Sequence, residues 1–488
     1  MTITILYSIA FITIFSFLFE QFFQYYKLTT TDLHIKNVKN YVDGEMFIDK
    51  LVFPNSKPVP ISYKTKRWSK IFQKGEPIVF KSLLGDWKSV QYWSPTYLST
   101  KWQQMKVHVT NQSTTRMFSN VQPFGRVLNW TTGYDEKIVA GTDFFAEKTE
   151  TTTSSTTSKI PWMYLFAPVK QIPKSLHSDF NRLVQLGTDI DSAGFWSGAP
   201  TLSSPLHYDA AHNVYCQIFG YKRFILFPHN VSSMLYVHSR LHPSTRSSFV
   251  NLRNVDQNRF PLFENAVKTN SLHPMEVVLG PGDALYIPPY YWHRASVVGK
   301  KMSMSMAIYS TSTMMKKYPI LKSYPVPIDI NWLWNRKVAA LKTYICVLGR
   351  SIQSTLKDHA TSWRCSEWIS KMLEQRYDSM LNDPKNRNIV IGWENWINKH
   401  RKYFQWKTKN VGVPQQVTKY LIGHVHKLHK ELLRKIDLKG THDDEDTISK
   451  DIWETEFICL AEDVVNYILG TEYVEPFLRY VAGDLILW

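Results

Sequence analysis

The sequence predicts a mainly β protein with helices: a jelly-roll core, a C-terminal α-helical region and an N-terminal transmembrane helix. Three observations predict it. Between Trp162 and Tyr309, short β-rich runs alternate with Gly, Pro, Asn and Asp punctuation, the pattern of a closed sheet or sandwich. Beyond Pro319 apolar residues recur at three-and-four spacing, which is helical. Thr2 to Phe19, TITILYSIAFITIFSFLF, carries no charge and reaches the lower edge of a bilayer-spanning length. The resulting division is an anchor over 1–27, a β-rich body with an N-terminal elaboration over 28–318, and a helical region over 319–488.

Each element has a local reason. The N-terminal stretch lacks a basic leading region and a small-x-small cleavage site, which favours an uncleaved anchor over a removed signal or a core helix. Lys27, Lys36 and Lys39 favour a cytosolic body, whereas the sequons at Asn111, Asn129 and Asn230 matter only in a lumenal one. The side of the membrane therefore stays open, with the endoplasmic reticulum as the candidate location. EPIVFKSLLGDWKSVQYWSPTYL, Glu76 to Leu98, reads as a strand, a turn at Gly85-Asp86, and a helix opened by Ser94-Pro95. KTETTTSSTTSK, Lys148 to Lys159, has nothing to bury and reads as an exposed loop. NVYCQIFGYKRFILFP carries a tight turn at Gly220-Tyr221, read as a hairpin, and Gly280-Pro281-Gly282-Asp283 punctuates the next pair of strands. In the C-terminal third, WLWNRKVAALKTYICVLGRSIQSTLKDH, SEWISKMLEQRYDSML, QQVTKYLIGHVHKLHKELLRKI and WETEFICLAEDVVNYIL are amphipathic helices, and HDDED, His442 to Asp446, is a solvated loop between the last two.

Composition excludes some classes. With 44% hydrophobic residues and 17 Trp among 488, the chain is neither disordered nor short of a core. A net charge of +17 suits phosphate-rich partners or an anionic membrane surface, without saying where the charge clusters. Cys216, Cys346, Cys365 and Cys459 form no CxxC pair, so neither a thiolate zinc site nor a disulfide framework is indicated and buried free thiols are expected.

SPLHYDAAHNVYCQIFGYKRFILF, Ser204 to Phe227, carries the chemistry. On a strand, residues two apart share a face, so His207 and Asp209 reach one point. His293, in GDALYIPPYYWHRASV, supplies a third ligand. Two imidazoles and one carboxylate leave coordination positions open, as in non-haem iron oxygenases. An isolated H-x-D is more often a surface pair, but Lys222 in an otherwise apolar strand calls for an anion, and a metal-bound dicarboxylate provides one. An edge-strand charge is its plainer reading. His212, and the helical trio His424, His426 and His429, complete no ligand set of known spacing.

The region from Glu76 to Tyr309 resembles the cupin-like JmjC hydroxylases that depend on Fe(II) and 2-oxoglutarate, the asparaginyl hydroxylase that inhibits hypoxia-inducible factor most of all. The resemblance is densest in SPLHYDAAHNVYCQIFGYKRFILFP, RSSFVNLRNVDQNRFPLFENAV and VVLGPGDALYIPPYYWH. It implies a double-stranded β-helix with His207, Asp209 and His293 as iron ligands. Lys222, Tyr164 and Ser204 correspond to the partners of the distal 2-oxoglutarate carboxylate, and Asn213 to a further polar contact. Arg246 matches a substrate-groove arginine, with a solvated loop charge as its equal alternative. O2 would be the second cosubstrate. Ala307, Tyr309 and Phe166 depart from the relative, which puts asparaginyl specificity in question. In the family, helices after the core form a homodimer.

The expected activity is therefore hydroxylation of a side chain of a protein substrate by a membrane-anchored dioxygenase. Two alternatives remain: a hydroxylase of a modified tRNA nucleoside, which the basic charge suits, and a non-catalytic scaffold that binds a partner through its helices.

Overall fold

A computed structural model describes residue 53 and residues 56–62, 68–110, 134–146, 162–179, 193–242, 244–323, 326–355, 365–378, 415–437, 449–470 and 473–483. The expected anchor, the Ser/Thr loop, the HDDED loop and the sequons at Asn111 and Asn129 lie outside the described residues. No helix among the described residues is long and apolar enough to cross a membrane.

The strands in chain order are β1 (Lys57–Pro58), β2 (Ile61–Ser62), β3 (Ile78–Phe80), β4 (Gln104–Thr110), β5 (Asp135–Ala140), β6 (Trp162–Pro168), β7 (Ala193–Gly198), β8 (His207–Tyr208), β9 (His212–Phe219), β10 (Tyr221–Phe227), β11 (Met275–Leu279), β12 (Ala284–Ile287), β13 (Trp292–Val298) and β14 (Ser303–Ser310). They form a five-stranded sheet, β1-β11-β10-β13-β8, and a nine-stranded sheet, β2-β3-β12-β9-β14-β7-β6-β4-β5. Consecutive strands alternate between the two sheets at several points, so the chain winds as a jelly roll.

Period-2 alternation sorts side chains into layers. Phe224 and Leu226 of β10 face Tyr215 of β9, Leu285 and Ile287 of β12, and Ala307 of β14 between the two sheets. The intervening residues point outward: Ile225, Phe227 and Trp292 toward the C-terminal helices, and Val214, Cys216, Met304 and Met306 toward an N-terminal helical layer.

That layer comprises α1 (Trp68–Lys74), α2 (Lys88–Tyr92), α3 (Pro95–Lys101) and α4 (Gly141–Phe145). Ser94 caps α3 as its position predicts, its hydroxyl accepting from Tyr97 N–H at 3.1 Å. Between β10 and β11 lies α5 (Pro261–Lys268), and after β14 come α6 (Thr313–Ser323), α7 (Trp334–Thr355), α8 (Cys365–Met372), α9 (Gln415–Asp437), α10 (Lys450–Leu469) and α11 (Val474–Ala482). The helices read from the C-terminal periodicity are thus present. The short α11, which ends at Gly483 in the left-handed region (φ 91°), is an addition to that reading.

Two expectations are corrected. Gly220 does not close a hairpin, because β9 and β10 belong to different sheets. Gly220 turns the chain at φ 68°, and any Cβ there would run into the Met302 carbonyl, so the tight turn is a sheet-to-sheet crossing. Nor are all four cysteines free. Cys346 on α7 and Cys365 at the start of α8 form a disulfide with Cα atoms 5.5 Å apart, a normal span. The pairing is invisible to a search for local Cys motifs because the fold brings the middle of α7 to the start of α8, 19 residues away in sequence.

Candidate metal centre

β8 and β13 pair in antiparallel register with His207 directly opposite His293. The ring centroids lie 4.3 Å apart. β8 ends at Tyr208, so Asp209 sits just past the strand rather than on it. Its backbone carbonyl accepts from Tyr290 N–H at 2.6 Å, and its carboxylate lies 3.7 Å from His293 Nε2. One ligand atom from each of His207, Asp209 and His293 falls within 4.8 Å of the other two.

The second nitrogen of each imidazole is already occupied. His207 Nδ1 bonds the Pro205 carbonyl at 2.9 Å, and His293 Nδ1 bonds the Tyr291 carbonyl at 3.0 Å. Donation to a carbonyl fixes the tautomer and leaves each Nε2 lone pair free for a cation. Burial, and then the neighbouring His207, hold His293 well below the ordinary histidine range, so it stays neutral as a ligand must. Asn213 donates to Asp209 Oδ2 at 3.2 Å, while its own Oδ1 is buried with no hydrogen-bond partner among the described residues. The donor set fits a divalent metal of the Fe(II) class.

The three residues line a pocket together with Tyr164, Ser204, Asn213 and Lys222. All seven residues singled out in the sequence for metal and cosubstrate are thereby brought together. Lys222 shares the inward face of β10 with Phe224 and Leu226 and is only 4% exposed. It donates to the Tyr215 hydroxyl and to Ser305 Oγ at 3.0 Å. Among the described residues no carboxylate meets it, and burial lowers its pKa to about 7. The edge-charge reading fails here, because β10 lies between β11 and β13. Burial holds the Tyr164 phenol far above its ordinary range, so it is a neutral donor. Ser204 Oγ accepts from Ala295 N–H at 3.0 Å, which leaves its own hydrogen for the pocket.

Tyr215 and Ser305 escaped the sequence reading. The signal was parity: Tyr215 stands two residues from Asn213, and Ser305 two from Ala307 on β14, itself opposite Tyr215. Arg246 lies outside the pocket lining and is exposed. Its φ of 68° is uncommon for a non-glycine residue, and its carbonyl accepts from Tyr208 N–H at 3.1 Å, which places its backbone beside the ligand strand. His212 is structural: buried, stacked on Phe72 with ring centroids 4.2 Å apart, and bonded to the Tyr286 hydroxyl. Phe166, 40% exposed, packs on Trp196 at a centroid distance of 4.2 Å.

Residues 64–315 match the family model described as a cupin-like domain. Over 114 residues, 23% of this chain and 23% of the relative, the sequence is 39% identical to JmjC domain-containing protein D of Dictyostelium discoideum. It is 34% identical over 119 residues to Lysine-specific demethylase JMJ30 of Arabidopsis thaliana, covering 24% of this chain and 26% of the relative. A longer match, 29% identical over 248 residues and 47% of this chain, is to tRNA wybutosine-synthesizing protein 4 of Neurospora crassa, of which it spans 18%. The chain therefore spans less than half the length of each of these curated relatives. A family model matched over more than half of the residues, on a two-sheet jelly roll with a His-Asp-His cluster inside it, makes this chain a member of the cupin-like domain family.

Proposed function

We propose that the chain is an Fe(II)- and 2-oxoglutarate-dependent oxygenase that hydroxylates a side chain of a protein substrate. One observation carries the reading: a His207–Asp209–His293 cluster and a buried Lys222 share a single pocket. His207, Asp209 and His293 would hold the iron, and Lys222 with Tyr164 and Ser204 would receive the far carboxylate of 2-oxoglutarate. Iron and 2-oxoglutarate together supply O2 activation, in which oxidative decarboxylation to succinate and CO2 accompanies insertion of one oxygen atom into a substrate C–H bond.

The protein's own residues bind and orient. Asn213 steadies the Asp209 carboxylate by donating to Oδ2, the oxygen that also faces His293 Nε2. The uncharged Tyr164 phenol and the Ser204 hydroxyl supply directional donors, and the Lys222 ammonium supplies charge inside a dry pocket where it acts strongly. Trp196, Phe224 and Val297 line the walls and limit water, which favours coupled over wasteful turnover.

Succinate release by the purified protein, with iron content measured in parallel, tests the reading. His207→Ala is expected to lose stoichiometric iron and succinate production together. Wild-type-like turnover in that variant overturns it.

Within this proposal the substrate is a polypeptide, and Arg246, exposed beside the ligand strand, contacts it. Asparaginyl hydroxylation is the finer form of the reading; the departures at Ala307, Phe166 and Tyr309, of which Tyr309 lines the pocket, count against it. Attachment to a membrane through residues 2–19 and dimerisation through the C-terminal helices belong to the same proposal. A tRNA substrate is the second reading, favoured by the +17 charge and the long match to a tRNA-modifying relative. Absence of salt-sensitive tRNA binding at low ionic strength removes it. Removal of methyl groups from lysine, the activity named for the plant relative, is scored on the same peptides.

A further inference from the structure

The cysteines and one sequon point to the compartment in which the body folds. Cys346 and Cys365 are half-buried residues held as a disulfide. The other two cysteines, Cys216 and Cys459, are buried, and burial raises the pKa of both thiols. A thiol enclosed in a core and kept protonated does not exchange with disulfides. Every cysteine is thus either paired or shielded, and none is an exposed reactive thiol. Disulfides of this kind persist in oxidising compartments and are rare in the cytosol.

A second observation is independent of sulfur. Asn230-Val231-Ser232 is a sequon, and Asn230 is exposed on the six-residue 3₁₀ helix His229–Met234 that follows β10. No hydrogen bond is drawn from its side chain among the described residues. Its neighbours face the other way: His229 and Val231 are buried, and Ser232 Oγ accepts from Trp292 Nε1 at 2.7 Å. A glycan on Asn230 would project into solvent without disturbing the packing beneath.

We propose that the catalytic body folds in an oxidising, secretory-type lumen, where Cys346 and Cys365 are joined and Asn230 is an N-glycan acceptor. In the first step the two thiols give up two protons and two electrons to the disulfide of an oxidoreductase, which leaves as a dithiol. In the second the Asn230 carboxamide nitrogen loses a proton and bonds to the anomeric carbon of a lipid-linked oligosaccharide, releasing the lipid diphosphate. This assignment stands apart from the oxygenase reading, because neither modification involves the metal pocket.

The test uses the full chain expressed in eukaryotic cells, alkylated before any reduction and digested without reductant. The expected result is a Cys346–Cys365 linked peptide, an Asn230 peptide that appears as Asp after peptide N-glycosidase treatment, and the loss of one glycan's mobility shift in Asn230→Gln. Ser232→Thr, which preserves the sequon, should retain that shift. Alkylated free Cys346 and Cys365, or an Asn230 peptide recovered wholly unmodified, overturns the proposal. Both readouts are independent of turnover, so an inactive enzyme leaves the test intact.

Discussion

Burial brings the Lys222 ammonium to a pKa of about 7, which makes a dicarboxylate's affinity depend on pH in a defined direction. An anion at the Nζ favours the protonated form, so binding draws in a proton wherever the free lysine is neutral. Affinity for 2-oxoglutarate should therefore be flat below pH 7 and fall above it, by about tenfold between pH 6 and pH 8. Calorimetry of the Mn(II)-loaded protein without oxygen, in buffers of different ionisation enthalpy, reads both the affinity and the proton uptake. Lys222→Met should weaken binding by about 10- to 100-fold, the worth of one charge-assisted hydrogen bond, and abolish the pH slope. An unchanged slope in that variant would remove Lys222 from the site. The residues of the metal cluster were legible in the sequence because His207 and Asp209 stand two apart at the end of a short strand, His207 on it and Asp209 just past it, and Lys222 contradicts its apolar surroundings. Tyr215 and Ser305 were not legible, since nothing in their own neighbourhoods says that β9 and β14 bring them to β10.

Helix α10 couples the C-terminal region to the ligand loops. Glu456 accepts from the Tyr290 hydroxyl at 2.7 Å, and the Tyr290 N–H in turn holds the Asp209 carbonyl. Tyr290 has φ 62°, a costly conformation for a bulky residue that its surroundings must enforce. Tyr290→Phe leaves the buried Glu456 carboxylate without that donor and should cost about 1–3 kcal/mol, read from urea unfolding. It should also lower metal affinity through a looser Asp209. Nearly two turns along, Glu462 accepts from Arg376 at 2.8 Å and from Tyr377 at 2.7 Å, with all three buried. Arg376→Met strands a carboxylate in the core and should destabilise by about 3–5 kcal/mol, whereas Arg376→Met combined with Glu462→Leu should recover most of that loss. If the double variant is no more stable than the single one, the cost lies in packing instead of charge. The helices themselves were readable from their periodicity. These cross-links were not, because Glu456, Glu462 and the half-buried Cys346 look like ordinary helix residues until their partners arrive from other elements.

At the scale of the molecule, the jelly roll and the helices share one hydrophobic core. Tyr208, Ile225, Phe227 and Trp292, on the outer face of the five-stranded sheet, cluster with Leu341, Leu421, Val465 and Phe477 of the helices. Composition changes near Pro319, and that change suggested a boundary at 319, yet Pro319 lies inside α6 and the apolar cluster continues across it. A chain ending after residue 323 would expose those four sheet side chains, each at 2% or less in the intact protein. At about 1.5–3 kcal/mol for each large apolar side chain, the loss is on the order of 6–12 kcal/mol, comparable to the whole stability of a typical domain. The truncated chain should therefore fail to unfold cooperatively in urea and should elute as aggregate in size-exclusion chromatography. A soluble monomer with a sharp urea transition would instead show that the jelly roll folds by itself, and the helices would then act as an attached module. In the coupled case the metal loops inherit their rigidity from α10, so substitutions far along the C-terminal region, such as Arg376→Met, should reduce iron retention alongside stability.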